Sequence, residues 1–202
     1  MKNKLLLLIL LVLFAGGINV VSGQESEKDK EKRMQWFKDA RLGIFIHWGI
    51  YAVNGIDESW SFYNGYITYD DYMKQLNGFT ASLYKPEEWA SLIKESGAKY
   101  AVITSKHHDG VALWDTKMGE LSVVKKTPAG KDLVTPFAKA LRKNGLKVGI
   151  YYSLLDWSYP DYPNFTKSAK RYETDSVRWK RFDSFNHGQI EEIGRNFNPD
   201  LY

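Results

Sequence analysis

Two hydrophobic patterns alternate along this chain. Short runs dominated by apolar residues occur at 42–46 (Leu42-Gly43-Ile44-Phe45-Ile46), 99–104 and 147–152. Runs of this length read as buried strands, the kind covered on both faces. Between them the apolar residues take helical spacing. Pro86-Glu87-Glu88 suits a first helical turn, Trp89, Leu92 and Ile93 fall on one face, and Gly97 supplies a stop. Asp132 can cap a second helix, with Val134, Phe137, Ala138 and Leu141 at i, i+3, i+4 and i+7 and Gly145 as its stop. A long helix is predicted over 175–197, with Trp179, Phe182, Ile190, Ile193 and Phe197 near one face, and a short one over 69–76. Asn54-Gly55, Asn64-Gly65 and Asn77-Gly78 mark turns in an aromatic stretch from 51 to 84. A further apolar run starts at Asn198-Pro199-Asp200-Leu201-Tyr202.

Strand starts near 43, 99, 147 and 200 give a strand–helix rhythm of roughly 50 residues, which implies an α/β fold with a parallel sheet. Polar clusters stand where strands end: His47, then Lys106-His107-His108-Asp109-Gly110, then 153–157. A (β/α)8 barrel carries its site at that face. An open doubly wound sheet would also do so, but no glycine-rich phosphate loop follows any strand. Eight such units need far more than 202 residues. The expectation is therefore the N-terminal half of a (β/α)8 TIM-like barrel, truncated in the fourth strand.

The N-terminus changes the picture of where the protein works. Lys2 and Lys4 precede an apolar run of 11 residues, 5–15, too short to span a bilayer comfortably, and Val21-Ser22-Gly23 offers small residues for cleavage. Residues 1–23 read as a signal peptide, 24–33 as a charged, disordered linker, and 34–202 as the partial barrel domain. A secreted or periplasmic location follows, with no stable membrane insertion after cleavage. The absence of Cys excludes disulfides, thiolate nucleophiles and Cys metal sites. The formal charge of +4 includes Lys2 and Lys4, and the basic residues of 28–33 are interleaved with acids, so no nucleic-acid partner is implied. Seven Trp and 13 Tyr fit either a large core or a pocket that stacks on sugar.

Two imidazoles, an ammonium and a carboxylate directly after a buried strand are costly to desolvate, so they line a pocket more readily than they fill a core. Three chemistries stay open for them. His47 and His107/His108 could hold a metal in a barrel hydrolase, although no H-x-H or H-E-x-x-H spacing is present. They could hydrogen-bond a polyhydroxylated ligand, since one neutral ring both donates and accepts. They could be structural histidines bonded to backbone. Glu58 and Trp60 pair a carboxylate with an indole, which suits a sugar. Glu58, Asp109, Asp156 and Asp161 are the available carboxylates, without a certified pair. Asp109 could orient the histidines.

Several segments taken together resemble the α-L-fucosidases of glycoside hydrolase family 29. These are Trp36-Phe37-Lys38-Asp39-Ala40-Arg41-Leu42-Gly43-Ile44-Phe45-Ile46-His47-Trp48-Gly49, Glu58-Ser59-Trp60, Glu88-Trp89-Ala90, Lys106-His107-His108-Asp109-Gly110, and Gly149-Ile150-Tyr151-Tyr152-Ser153-Leu154-Leu155-Asp156-Trp157. The resemblance implies a secreted retaining exo-glycosidase that releases terminal L-fucose from fucosylated glycans without a cofactor. It implies His47, Glu58, Trp60, His107, His108 and Tyr151 as sugar-holding residues, with Tyr151 chosen over Tyr152 because only one of two strand neighbours can face the site. The family's nucleophile, an aspartate at the end of the fourth strand, and its acid/base would fall beyond Tyr202, so the fragment is expected to be inactive. A complete product that binds fucose without cleaving it, or a truncation product without function, is the alternative.

Overall fold

The computed structural model describes residues 25–160 and 175–202. The leader at 1–23 and Asp161 lie outside the described residues.

Helix α1, Glu27–Ala40, begins inside the stretch expected to be a disordered linker. The correction has a simple cause. Glu, Lys and Arg are good helix formers, so a charged stretch without apolar periodicity still coils. Ion pairs Lys30–Glu27 and Lys38–Glu31 add to it, as does Arg33 with Glu25. All are exposed, and each contributes little.

From Ala40 onward the chain forms an α/β unit around three parallel strands: β1 (Gly43–Ile46), β2 (Tyr100–Lys106) and β3 (Lys147–Tyr152), in the order β1-β2-β3. Between β1 and β2 lie α2 (Trp60–Tyr63), α3 (Tyr69–Met73) and α4 (Pro86–Glu95). The predicted 69–76 helix is α3 continued as a 3-10 turn over Lys74–Gly78. Between β2 and β3 lie α5 (Val123–Lys126) and α6 (Val134–Lys143), and α7 (Ser176–Phe197) follows β3. Asp132 caps α6 as expected, accepting from the Val134 and Thr135 amides, and Asp175 accepts from the Arg178 amide at the start of α7. Gly97 ends α4 at φ +86°, a backbone region that favours glycine. After α7, Leu201 makes one parallel bridge to Gly149, beside β3.

The sheet's two faces differ. Ala101, Ile103, Val148 and Ile150 are fully buried in one core with Phe137, Leu141 and Ile93 of the helices. The opposite face carries Gly43, Phe45, Tyr100, Val102 and Tyr151, which line a shallow apolar pocket. Two expected core residues are exposed instead. Leu92 is 63% exposed, with Ala90 buried in its place, and Trp179, in the first turn of α7, is 47% exposed. Among the described residues, no helix is long and apolar enough to cross a membrane.

Near its end β2 breaks its register with β3. Thr104 pairs with Tyr151, but Lys106 pairs with Tyr152, so Ser105 is an extra residue on β2. A bulge of this kind re-aims the side chains that follow it. Here it sends Lys106 to the same side as Tyr152, into full burial, and the strand ends at His107.

Candidate functional site

The bulge determines what the strand ends present. His47 follows β1, His107 and His108 follow β2, and Tyr151 lies at the end of β3. Their rings form one cluster, with centroids 5.0 Å apart for His47–His107, 4.6 Å for His107–His108, 5.8 Å for His107–Tyr151 and 6.3 Å for His47–Tyr151. Trp60 completes it edge-on to His108 at 6.0 Å, and Glu58 Oε2 lies 3.7 Å from His107 Nδ1. All six residues singled out from the sequence therefore meet at one end of the sheet. Tyr151 faces the histidines, whereas Tyr152 turns toward α7, where its hydroxyl lies 2.8 Å from Asn186 Oδ1 and from Gln189 Oε1.

Each imidazole is held through Nδ1. His47 Nδ1 is 2.9 Å from the Tyr51 hydroxyl. His107 Nδ1 is 2.8 Å from Ser59 Oγ, which also accepts the Asp109 amide at 2.9 Å. His108 Nδ1 is 3.0 Å from the Leu155 carbonyl. A carbonyl only accepts, so His108 carries its proton on Nδ1 and leaves Nε2 with a free lone pair. Assigning the Ser59 proton to His107 Nδ1 gives the neighbouring ring the opposite tautomer, with a donor at Nε2. Adjacent rings then offer one donor and one acceptor.

Charge follows burial. His107 is pushed down to about 3 by burial, with the neighbouring His108 and His47 adding to the effect. His108 is also lowered, mainly by burial. Both rings are neutral near pH 7. Among the described residues, no group of three His, Asp or Glu side chains is placed to hold a metal ion.

The acids serve other purposes. Asp109 makes its carboxylate hydrogen bonds away from the histidine rings. Its carboxylate accepts from the Tyr72 hydroxyl at 2.7 Å and from the Val111 amide at 2.9 Å, and burial raises it to about 6. Its link to His107 runs through its own amide and Ser59. Asp156 accepts from Lys106 Nζ at 2.9 Å and from Ser158 Oγ at 2.6 Å. Glu58 Oε2 accepts the Trp60 amide at 2.7 Å, which fixes the loop that carries Trp60. Trp60 is 41% exposed and leans edge-on against Tyr63 and Trp157.

Sequence reasoning gave no role to Ser59, Tyr51, Tyr72 or Trp157. Ser59 had the clearest signal, standing between Glu58 and Trp60. Trp157 lies on His108, rings stacked at 4.4 Å, and its amide donates to the His108 carbonyl at 2.8 Å. The tryptophans divide between the core and the strand-end cluster. Trp114 is buried in the core, and Trp60 and Trp157 stand at the site.

A family model described as alpha-L-fucosidase matches residues 19–202. Human tissue alpha-L-fucosidase is 32% identical over 179 residues, which cover 77% of this chain and 38% of the relative. Alpha-L-fucosidase isoenzyme 1 from Paenibacillus thiaminolyticus is 40% identical, with a TM-score of 0.74 over 83% of this chain and 41% of that one. A Thermotoga maritima alpha-fucosidase solved in complex with fucose is 36% identical, with a TM-score of 0.65 over 83% and 45%. The chain spans about two fifths of the length of these relatives.

Proposed function

This chain belongs to the α-L-fucosidase family, and from that premise we propose that it forms the sugar-holding part of a retaining exo-α-L-fucosidase site. The supporting observation is the convergence of His47, His107, His108 and Tyr151 around one strand-end surface, with an exposed indole beside them. The two lowered histidines stay uncharged, which suits a neutral polyol better than an anion. Glu58 adds an acceptor, and the Trp60 face suits the apolar methyl side of a 6-deoxy sugar.

The three parallel strands, and the bridge from Leu201 to Gly149, are read as the first strands of a (β/α)8 barrel with the fourth beginning. The solved fucosidases that overlay this chain support that reading. Asp109 and Asp156 are committed to buried partners, so neither is assigned as nucleophile or acid/base. Those carboxylates are placed outside this stretch. A terminal L-fucose on a glycan is the substrate, and secretion or export to the periplasm is proposed from the leader pattern at 1–23.

Titrating L-fucose into the isotopically labelled chain tests the assignment. Saturable shifts of the His47, His107 and His108 ring signals are expected with L-fucose and not with its enantiomer D-fucose, and no hydrolysis of an aryl α-L-fucoside by these 202 residues. Equal responses to both enantiomers, or none to L-fucose, would overturn the sugar assignment. Turnover would overturn the placement of the catalytic carboxylates.

A further inference from the structure

Lys106 is an unlikely core residue. Its side chain is fully buried, and burial pulls its ammonium below the usual lysine range against the opposing pull of Asp156. Nζ donates to Asp156 Oδ2 at 2.9 Å and to the Tyr152 hydroxyl at 3.0 Å, and lies 4.4 and 5.1 Å from the ring centres of Tyr152 and Phe185. A buried ion pair is rarely a net gain over apolar residues of the same size, because desolvation offsets the attraction. Stability alone therefore gives this pair little reason to be here.

Its place in the chain supplies one. Lys106 directly precedes the two histidines, and Asp156 lies between the two residues that hold His108. On one side Leu155 gives the carbonyl that accepts from His108 Nδ1. On the other, Trp157 gives the ring that stacks on His108 and the amide that bonds its carbonyl. Asp156 Oδ1 accepts from the Ser158 amide and hydroxyl and from the Tyr159 amide, at 2.6–3.1 Å. With the Lys106 bond, six hydrogen bonds thus centre on one turn. The second loop is pressed close: a Cβ at Gly110, where φ is +78°, would overlap Ser158 and Asp156. From α7, Asn186 donates to the Leu154 carbonyl at 2.9 Å, while its Oδ1 lies 2.8 Å from the Tyr152 hydroxyl that Lys106 contacts.

We propose that the buried Lys106–Asp156 pair is a positioning device for His108, locking the 155–157 turn so that this imidazole keeps one tautomer and one ring plane. Neither residue touches the sugar. They act through the Leu155 carbonyl and the Trp157 ring. The value of that constraint for sugar binding rests on the function proposed above, whereas the constraint on the ring does not.

Histidine-ring nitrogen NMR on the chain tests it. In the native protein His108 is expected as a single species protonated at Nδ1. The charge-neutral double variant Lys106→Met/Asp156→Asn is expected to show a mixture of His108 tautomers, unmoved His47 signals, and a dissociation constant for L-fucose raised about tenfold, or about 1.4 kcal/mol. Glu192→Gln is the control. Glu192 is a buried α7 carboxylate that holds Trp114, Thr116 and the Lys117 amide and makes none of the hydrogen bonds described for the 155–157 turn, and its variant should loosen that loop while His108 keeps its tautomer. Should the double variant not fold, Asn186→Ala loosens the same turn without burying a charge and carries the same expectation. A native His108 protonated at Nε2 would overturn the proposal. So would a folded variant with an unchanged His108 species and L-fucose affinity. A native chain that ignores L-fucose would count against the sugar assignment alone, since the tautomer result still decides the positioning role.

Discussion

The two faces of one strand divide the work of this fold. On the helix side of β2, Ala101 and Ile103 are completely buried against Phe137 and Leu141 of α6. On the other side, Tyr100 is half-buried and Phe45 of β1, which pairs with Val102, is 52% exposed. Apolar area removed from water stabilises by about 25 cal/mol per Å2, so the helix side holds most of what keeps the sheet together. Within this stretch the other face is the less covered one, and the polar side chains gather at its upper end. The bulge at Ser105 is where the division is enforced: Lys106 goes to the helix side, and His107 is left to end the strand beside His47 and Tyr151.

The largest test of this division compares two phenylalanines. Phe137→Ala should destabilise by about 3–5 kcal/mol, the usual cost of emptying a buried aromatic site. Phe45→Ala should cost about 1 kcal/mol or less, because half its surface is already in water. Urea unfolding of both variants measures the difference. Equal losses would mean that the two faces contribute alike and the comparison fails.

A test of intermediate size uses protons. His107 stands at about 3 in the fold against 6.5 in the open chain, so the unfolded state binds more protons between those values and stability falls as pH drops through that window. Asp109 runs the other way. It stands at about 6 against 3.8, so the folded state binds more protons and stability falls as pH rises from 3.8 through 6. Each effect amounts to a few kcal/mol at most, and they oppose each other where the windows overlap. His107→Gln should remove the first and unmask the second, giving a chain that grows less stable from pH 4 to pH 6. Chemical denaturation at a series of pH values shows it, and a stability that still rises with pH in that range would refute the assignment. Tyr72→Phe sharpens the same point. It takes one of two donors from the Asp109 carboxylate, which should cost about 1–3 kcal/mol at pH 7 and much less at pH 4, where the acid is protonated.

Much of this arrangement is legible in the residues alone. The strands and helices α4, α6 and α7 follow from apolar runs and from caps such as Asp132, since burial and backbone satisfaction act locally. The convergence of His47, His107, His108 and Tyr151 follows from strand ends sharing one side of a parallel sheet. What escapes is set by contacts distant in sequence. Asp109 looks like a histidine partner by adjacency, yet the chain turns at Gly110 and its carboxylate meets Tyr72, 37 positions away. Ser59 bonds His107 across 48 positions, and Lys106 meets Asp156 across 50. The charged stretch ahead of Met34 reads as a linker from sequence because disorder and an exposed helix share one composition, and only local ion pairing separates them.

The smallest expected effect on stability is also the most discriminating, because it concerns two identical side chains side by side. Tyr152 donates or accepts in a buried network with Lys106, Asn186 and Gln189. Tyr151 has Ser153 Oγ at 3.1 Å as its hydroxyl contact and stacks on His107. Tyr152→Phe leaves a buried ammonium and an amide short of a partner, so it should cost about 1–3 kcal/mol in unfolding free energy. Tyr151→Phe keeps the ring and loses an exchangeable contact at the surface of the site, so it should change stability by about 0.5 kcal/mol or less. Its effect should appear in L-fucose affinity, weakened by one hydrogen bond, or about 0.5–1.5 kcal/mol. Calorimetric titration beside urea unfolding separates the two quantities. A Tyr151→Phe chain that loses stability while keeping its affinity for L-fucose would place this tyrosine with the core and not with the site.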